Sequence, residues 1–176
     1  MLNSAQSILR RLAAETRGAE IAEAAAVLPL MFMILLGIFW FGQAFSIYGA
    51  ITRAAQEGAR AGAAPYCATC TSANPLATNA VNAVTTAMVA SKLDPTLTRF
   101  PVPAPVFTPC GTSWASASTK IDVQAPVLLK NSGSANGVCG VSVSFQYPFQ
   151  FWLPFASLNK QKIWITASAR VRMETQ

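Results

Sequence analysis

The stretch GAEIAEAAAVLPLMFMILLGIFWFGQAFSIY, residues 18–48, decides how this chain is built. Its last 25 residues, Ala24 to Tyr48, contain no charged side chain. About 20 apolar residues are enough for a helix to cross a bilayer, so this run predicts a membrane-spanning helix. Glu23 stands at the head of the run, where a carboxylate is costly and usually marks a function.

The residues before this stretch predict the orientation of the helix. Residues 1–18 contain Arg10, Arg11 and Arg17 against one acid, Glu15. Basic residues favour the cytoplasmic side of a membrane, so we expect the N-terminus inside and the larger part of the chain outside. A secretory signal peptide has a shorter apolar core, although small residues downstream keep that alternative open. An uncut signal anchor is a second alternative.

The glycine, the carboxylate and the apolar run together predict a processing site. Cleavage between Gly18 and Ala19 would give Ala19 a free amine and make Glu23 the fifth residue of the mature chain. The amine of one subunit could then pair with Glu23 of a neighbour inside a helical bundle. Such a pair would set the register between subunits, whatever its net contribution to stability. A hydrated Glu23 at the level of the lipid headgroups is the simpler interpretation.

Three stretches of the chain resemble the TadE-type minor pseudopilins. They are Arg17–Leu30 with Gly37-Ile38 and Phe41-Gly42, then Ala54–Ala63 after the membrane run, and Ile163–Glu174 near the end. The chain departs from many of these relatives at Ala24, where they have an aromatic residue. Because the related TadF and TadG proteins have similar anchors, the subfamily stays open.

The resemblance implies a function in the tight-adherence (Flp-type) pilus. It implies that a prepilin peptidase removes residues 1–18, and that the mature chain contacts other pilins and pseudopilins through its N-terminal helix. It places the chain in the bacterial inner membrane with a periplasmic C-terminal domain, or in an extracellular pilus. An uncut, membrane-anchored periplasmic binding protein is the alternative function.

The remaining sequence predicts an α+β fold. Residues 19–63 are expected to form one helix with a kink at Pro29, and residues 64–176 a periplasmic domain. Asn74-Pro75 should open a second helix that ends near Leu93. Period-two alternation predicts strands around residues 120–124, 141–147 and 162–172. We therefore expect a small antiparallel sheet of three to four strands, with each strand buried on one face and wet on the other.

Four cysteines follow the membrane run, which places them in an oxidising compartment if the orientation holds. Four cysteines allow three pairings, and we favour Cys67–Cys70 with Cys110–Cys139. A zinc site and a thioredoxin-type dithiol are the competing interpretations of Cys67-Ala68-Thr69-Cys70. The dithiol interpretation lacks a visible βαβ context, and an oxidising compartment disfavours the zinc site.

An apolar segment between two predicted strands is the candidate docking loop for another pilus subunit. It runs from Pro148 to Lys160 and contains Phe149, Phe151, Trp152 and Phe155. Large apolar side chains in such a loop need a partner or a covering element. The alternatives are a loop folded over the sheet or one lying on the membrane surface.

The composition argues against catalysis and against nucleic-acid binding. The chain has no histidine, and its 13 basic residues against 7 acids are scattered rather than clustered. The acids after the membrane run, which are Glu57, Asp94, Asp122 and Glu174, lie far apart without motif spacing. We expect no catalytic residues, no metal and no cofactor.

Overall fold

The computed structural model describes residues 16–64, 75–115, 118–129, 138–150 and 162–173. Within these ranges the chain forms helix α1 (Thr16–Ala63), helix α2 (Pro75–Ala90) and a short 3-10 helix (Pro95–Leu97). Strands β1 (Pro109–Ala115), β2 (Asp122–Leu129), β3 (Val138–Gln150) and β4 (Lys162–Arg172) follow. The α+β class, the long N-terminal helix and the antiparallel sheet predicted from the sequence are confirmed.

Helix α1 is rich in alanine, a strong helix former, and continues through Pro29 to Ala63. The predicted kink at Pro29 stays a prediction. The chain divides into two compact units, residues 1–43 and residues 44–176, so the division falls inside α1. The boundaries predicted after residues 18 and 63 also stay predictions.

The second unit has one core, which lies between two helices and a sheet. The C-terminal part of α1 supplies Ile51, Ala54, Ala55 and Ala59, and α2 supplies Ala80, Val84 and Met88. Side chains from one face of the sheet complete the core: Val123, Ala125, Val141, Val143, Phe145, Tyr147 and Ala167. Buried alanines on α1 allow its backbone to approach both α2 and the sheet.

Two glycines of α1 lie where a larger residue would collide with its neighbours. A Cβ atom at Gly58 would overlap the Val84 side chain of α2 and lie 3.1 Å from the Ala80 carbonyl oxygen. A Cβ atom at Gly62 would lie 3.1 Å from Val141 Cγ1 of β3. Close packing between α1, α2 and β3 therefore depends on the absence of a side chain at these two positions.

The four described strands form an antiparallel sheet in the order β1-β2-β3-β4. Strand β3 pairs with β4 continuously from Gly140↔Arg172 to Gln150↔Lys162. Its pairing with β2 has a register shift, and so has the pairing of β1 with β2. Strand β1 was not predicted, because Pro109 and the prolines before it indicate an extended segment rather than a strand.

A proline-rich segment, residues 99–108, covers the polar face of the sheet, and we call it the strap. Its first residue continues the sheet, since Arg99 and Gln146 exchange two backbone hydrogen bonds of 3.0 and 2.9 Å. The Gln146 side-chain amide donates to the Val102 carbonyl, and the Gln124 amide donates to the Pro105 carbonyl. At the far end, the Leu128 amide donates to the Thr108 carbonyl.

The strap corrects the prediction that each strand has one wet face. Ser142, Ser144 and Gln146 of β3 are at most 5% exposed, although their alternation with apolar residues indicated contact with water. Alternation in the sequence distinguishes polar from apolar faces, but it does not report a distant segment that folds over the polar one. The predicted end of α2 near Leu93 was also too late, because the helix ends at Ala90.

Asp122 lies under the strap and is 5% exposed. Its Oδ2 atom accepts hydrogen bonds from the Gln124 amide, at 2.9 Å, and from the Ser144 hydroxyl, at 3.4 Å. Desolvation raises the pKa of Asp122 above its ordinary value, and the two hydrogen bonds oppose that rise. The folded chain therefore binds the proton of Asp122 more tightly than the unfolded chain does.

The first prediction concerns the packing of α1. Gly58→Ala should lower the free energy of unfolding, because overpacking costs about 1–3 kcal/mol and exceeds the gain in helix propensity of about 1 kcal/mol. Gly49→Ala is the matched control, since nothing lies within 4 Å of a Cβ atom there, and it should be neutral or stabilising. Thermal unfolding of the full chain in detergent, followed by circular dichroism, measures both. Equal stability of the two variants would contradict the packing described.

The second prediction concerns the pH dependence of stability. Folding raises the pKa of Asp122. The contribution of Asp122 to the free energy of unfolding therefore falls as the pH rises from the ordinary pKa through the raised pKa. Asp122→Asn removes this loss, so the stability of the wild type relative to this variant should improve when the pH is lowered from 7 to about 4. Denaturant unfolding at several pH values measures the difference.

Asp94→Asn serves as the control of opposite sign. Hydrogen bonds from Thr96 lower the pKa of the exposed Asp94 carboxyl below its ordinary value of 3.8, so its contribution to stability is lost as the pH falls from that value through the lowered pKa, and the series of pH values extends below it. The wild type should therefore lose stability relative to Asp94→Asn on acidification. If acidification changes the stability of the wild type in the same direction relative to both variants, the raised pKa assigned to Asp122 is wrong.

Candidate functional site

The N-terminal part of α1 is apolar and exposed along its length. The segment Glu20–Ala63 contains an 18-residue window with a mean hydropathy of 2.4, of which 6% is buried within the protein. Its exposed large side chains include Leu30, Phe32, Met33, Ile38, Phe39, Phe41 and Phe45. A core helix of a water-soluble protein would be mostly buried, so this helix is compatible with a membrane anchor.

The exposed and packed parts of α1 meet near Ile47. Phe45 is 70% exposed, whereas Ile47 packs against the core of the second unit and Ile51 is fully buried. Tyr48 is 49% exposed, and the charge-free run continues past it to Thr52. The end of the charge-free run, residues 47–52, therefore already belongs to the part of α1 that packs in the folded domain.

The predicted processing site lies in the first turn of α1. The helix begins at Thr16, so Gly18 and Ala19 are both helical. Gly18 is exposed, and a Cβ atom there would meet nothing within 4 Å. Cleavage at this bond stays a prediction.

Glu23 lies one turn after Ala19 and is exposed. Cleavage would free the backbone amine of Ala19, and Glu23 lies one helical turn after it. Glu20 is also exposed, and it lies three positions before Glu23 on the same side of the helix. The first turn of α1 contains no acidic residue.

Comparison with known proteins identifies this helix. Residues 18–60 match the family model described as TadE-like protein. The N-terminal helix of this chain is TadE-like. No curated protein and no solved structure matches the chain significantly.

The TadE-like match coincides almost entirely with α1, which spans residues 16–63. It begins at Gly18 and includes both the exposed apolar run and the packed part with Gly58. The resemblance stated from the sequence is thus confirmed for the helix. The resemblance of residues 163–174 lies outside the matched residues, and it stays a prediction. The TadE-like family comprises structural components of pili rather than enzymes.

The cysteine residues of the chain are only partly described. A disulfide joins Cys110 of β1 to Cys139 of β3, with 5.8 Å between their Cα atoms. This is one of the two pairs favoured from the sequence. Cys67 and Cys70 lie outside the described residues, so their pairing stays a prediction. Within the described ranges, no group of three or more potential metal ligands occurs.

The candidate docking loop is also only partly described. Phe149 belongs to strand β3, pairs with Ile163 and is 3% exposed, so it contributes to the packing of the sheet rather than to a free surface. The loop therefore starts later than Pro148, because the β3–β4 pairing continues to Gln150. Phe151, Trp152 and Phe155 lie outside the described residues, and their docking function stays a prediction.

The third prediction concerns the disulfide. Cys110→Ala combined with Cys139→Ala should lower the free energy of unfolding by about 3–4 kcal/mol, because a bond with a sequence separation of 29 residues restricts the unfolded chain. Denaturant unfolding of the full chain in detergent measures the loss. The control variant combines Cys67→Ala with Cys70→Ala and keeps the Cys110–Cys139 bond, which then cannot exchange with other thiols. A reductant should lower the free energy of unfolding of this variant, because it breaks that bond. If the reductant has no effect, the disulfide does not contribute to stability as predicted.

Proposed function

We propose that this chain is a minor pilin-like subunit of a tight-adherence (Flp-type IV) pilus, which a prepilin peptidase processes and which acts in pilus assembly and surface adhesion. The observation that carries the proposal is the TadE-like match over residues 18–60. The exposed apolar surface of the same helix supports it, because such a surface must be covered by lipid or by other helices.

The physical basis of assembly is the transfer of α1 from lipid to a bundle of like helices. Each large side chain of the exposed run contributes about 1.5–3 kcal/mol when it leaves water, so the helix stays in an apolar environment throughout. Lipid and neighbouring helices are similarly apolar, and the choice between them depends on packing and polar pairs. Gly37 and Gly42 lie in the exposed run and would allow close helix approach.

Processing after Gly18 would give the subunit the polar pair that this environment requires. The freed amine of Ala19 and the carboxylate of Glu23 have opposite charges, so each compensates the other where water is scarce. Within one chain they lie one helical turn apart, and between neighbours the same charges would fix the axial offset of the helices. An uncut chain has an uncharged amide at Ala19 and leaves Glu23 without this partner.

The proposed topology follows from the charges that flank the apolar run. Arg10, Arg11 and Arg17 precede it, so the N-terminus lies in the cytoplasm and the second unit in the periplasm. The Cys110–Cys139 disulfide supports this orientation, because disulfides persist in the periplasm and are rare in the cytoplasm. The partners of the chain are the prepilin peptidase, other pilins and pseudopilins, and the inner membrane.

The fourth prediction concerns processing. In cells that contain the peptidase, N-terminal sequencing should find a mature chain that begins at Ala19, and Gly18→Asp should retain residues 1–18. A wild-type chain that keeps its leader under these conditions would support the alternative, an uncut anchored binding protein. Mass spectrometry of the purified chain measures both outcomes.

The same system distinguishes cleavage from assembly. Glu23→Gln keeps the size of the side chain but removes the charge, and breaking a buried pair costs about 3–5 kcal/mol, so recovery in sheared pili should fall at least about tenfold. Glu20→Gln is the matched control, because it removes a neighbouring carboxylate that is not the fifth residue of the mature chain. If the two variants enter pili equally, the pairing proposed for Glu23 is wrong.

A further inference from the structure

The structure points to a second membrane contact, on the domain itself: we propose that the edge of the second unit where α2 ends and β4 begins binds the surface of an anionic phospholipid bilayer. We call it the lipid edge and define it by Arg53, Val89, Lys92, Lys162 and Ile163. The inference depends on the proposed membrane anchoring, and it goes beyond that anchoring by assigning a lipid contact to residues outside the apolar run.

The contacts between the two helices show which residues of α2 lie beside which residues of α1. Gly62 faces Ala80 and the Leu76 carbonyl oxygen, and Gly58 faces Val84 and the Ala80 carbonyl oxygen. A groove of about 380 Å³ is lined by Ala50, Arg53, Ala54 and Glu57 of α1 and by Ala87, Ala90 and Ser91 of α2 and its end. The helices are thus antiparallel, and α2 ends at the level of residues 50–53, just after the apolar run.

The packing of α1 on the sheet gives the level of β3. Val141 faces Gly62 and Val143 faces Gly58, so four helix residues correspond to two strand residues. This ratio agrees with rises of about 1.5 Å per helix residue and about 3.3 Å per strand residue. With the same ratio further along β3, Tyr147 lies at the level of residue 50 of α1 and Phe149 at the level of residue 46. Because Phe149 pairs with Ile163 and Gln150 with Lys162, β4 begins near the level of residues 44–46, about two helical turns from the level at which α2 ends.

The described residues at the lipid edge have the character of a membrane-surface contact. Val89 is 61% and Ile163 46% exposed, and both are large apolar side chains. Arg53, Lys92 and Lys162 are exposed bases. Nearby acids are Asp94, which caps the 3-10 helix through Thr96, and Glu57, which lies 3.6 Å from Arg60 one turn further from the apolar run. The bases Arg53, Lys92 and Lys162 outnumber these two acids, so the net charge at the lipid edge is positive.

Position and charge together select an anionic bilayer as the occupant. The charge-free run continues to Thr52, one residue before Arg53, so the headgroup layer lies at the level of the lipid edge if the run spans a membrane. Basic side chains are attracted to anionic headgroups, and each contributes roughly fivefold to binding near such a surface. Apolar side chains between the bases can enter the boundary of the headgroups and acyl chains. Trp164, with Arg99 stacked 3.6 Å from its ring centre, follows Ile163 and has the amphipathic character of residues at this boundary.

Photocrosslinking in lipid nanodiscs tests the proposal on the full chain. A benzophenone amino acid replaces one of three exposed residues: Val89 at the lipid edge, Asn79 in the N-terminal half of α2, or Phe32 in the apolar run. The nanodiscs contain either phosphatidylcholine alone or a mixture with phosphatidylglycerol. Mass spectrometry identifies the crosslinked partner as lipid or protein.

We expect lipid adducts at Phe32 in both kinds of disc and at Val89 mainly in the anionic discs, with none at Asn79. Replacement of Arg53, Lys92 and Lys162 by glutamine should reduce the Val89 adduct several-fold, since each base contributes roughly fivefold. The control replaces Arg60, Arg170 and Arg172 by glutamine, because these exposed bases lie away from the lipid edge. This control should leave the Val89 adduct unchanged.

The Phe32 variant separates failure of the anchor from failure of the lipid edge. Without a lipid adduct at Phe32, both the membrane anchoring and this inference are wrong. With a lipid adduct at Phe32 but none at Val89, or with equal adducts at Val89 and Asn79, the inference alone is overturned. An adduct from Val89 to a second copy of the chain would assign the edge to a subunit contact and would also overturn it.

Discussion

The whole structure depends on one helix that has to keep an apolar surface out of water in two different ways. The C-terminal part of α1 does so inside the protein, where Ile51, Ala54 and Gly58 pack against α2 and β3. Its N-terminal part presents large exposed side chains, and such a surface is stable only in lipid or against other helices. A single helix thereby combines a part that packs in a folded domain with an exposed apolar surface that is compatible with a membrane anchor.

The domain at the end of this helix gains its stability from covering both faces of a small sheet. Helices cover the apolar face, and the strap covers the polar face through hydrogen bonds to side chains such as Gln124 and Gln146. Small domains bury a limited fraction of their surface, so the second layer and the Cys110–Cys139 disulfide add constraints that the core alone does not provide. The cost is a buried carboxyl at Asp122, whose pKa is raised by desolvation.

The proposed function and the lipid edge make different demands on the same helix. Assembly through α1 needs an apolar surface that exchanges lipid for neighbouring helices at little cost. A lipid contact by Arg53, Lys92 and Lys162 would hold the domain at the membrane surface before that exchange and would be released as the helix leaves the bilayer. A subunit with both features would wait in the membrane in a fixed orientation, because two contacts restrict its tilt more than one does.

The sequence by itself determined the membrane-length helix, its TadE-like character and three of the strands. These features are local: a charge-free run, a glycine with a glutamate five positions later, and alternation with a period of two. It also indicated the pairing of Cys110 with Cys139. Only the tertiary structure decided that strand β1 forms, that the strap buries Ser142 and Ser144, and that Phe149 belongs to the sheet. These features depend on contacts between residues that are distant in sequence. A local pattern of polar and apolar residues does not reveal such contacts, because the segment that folds against a polar face or a proline-flanked strand determines whether it is buried or paired.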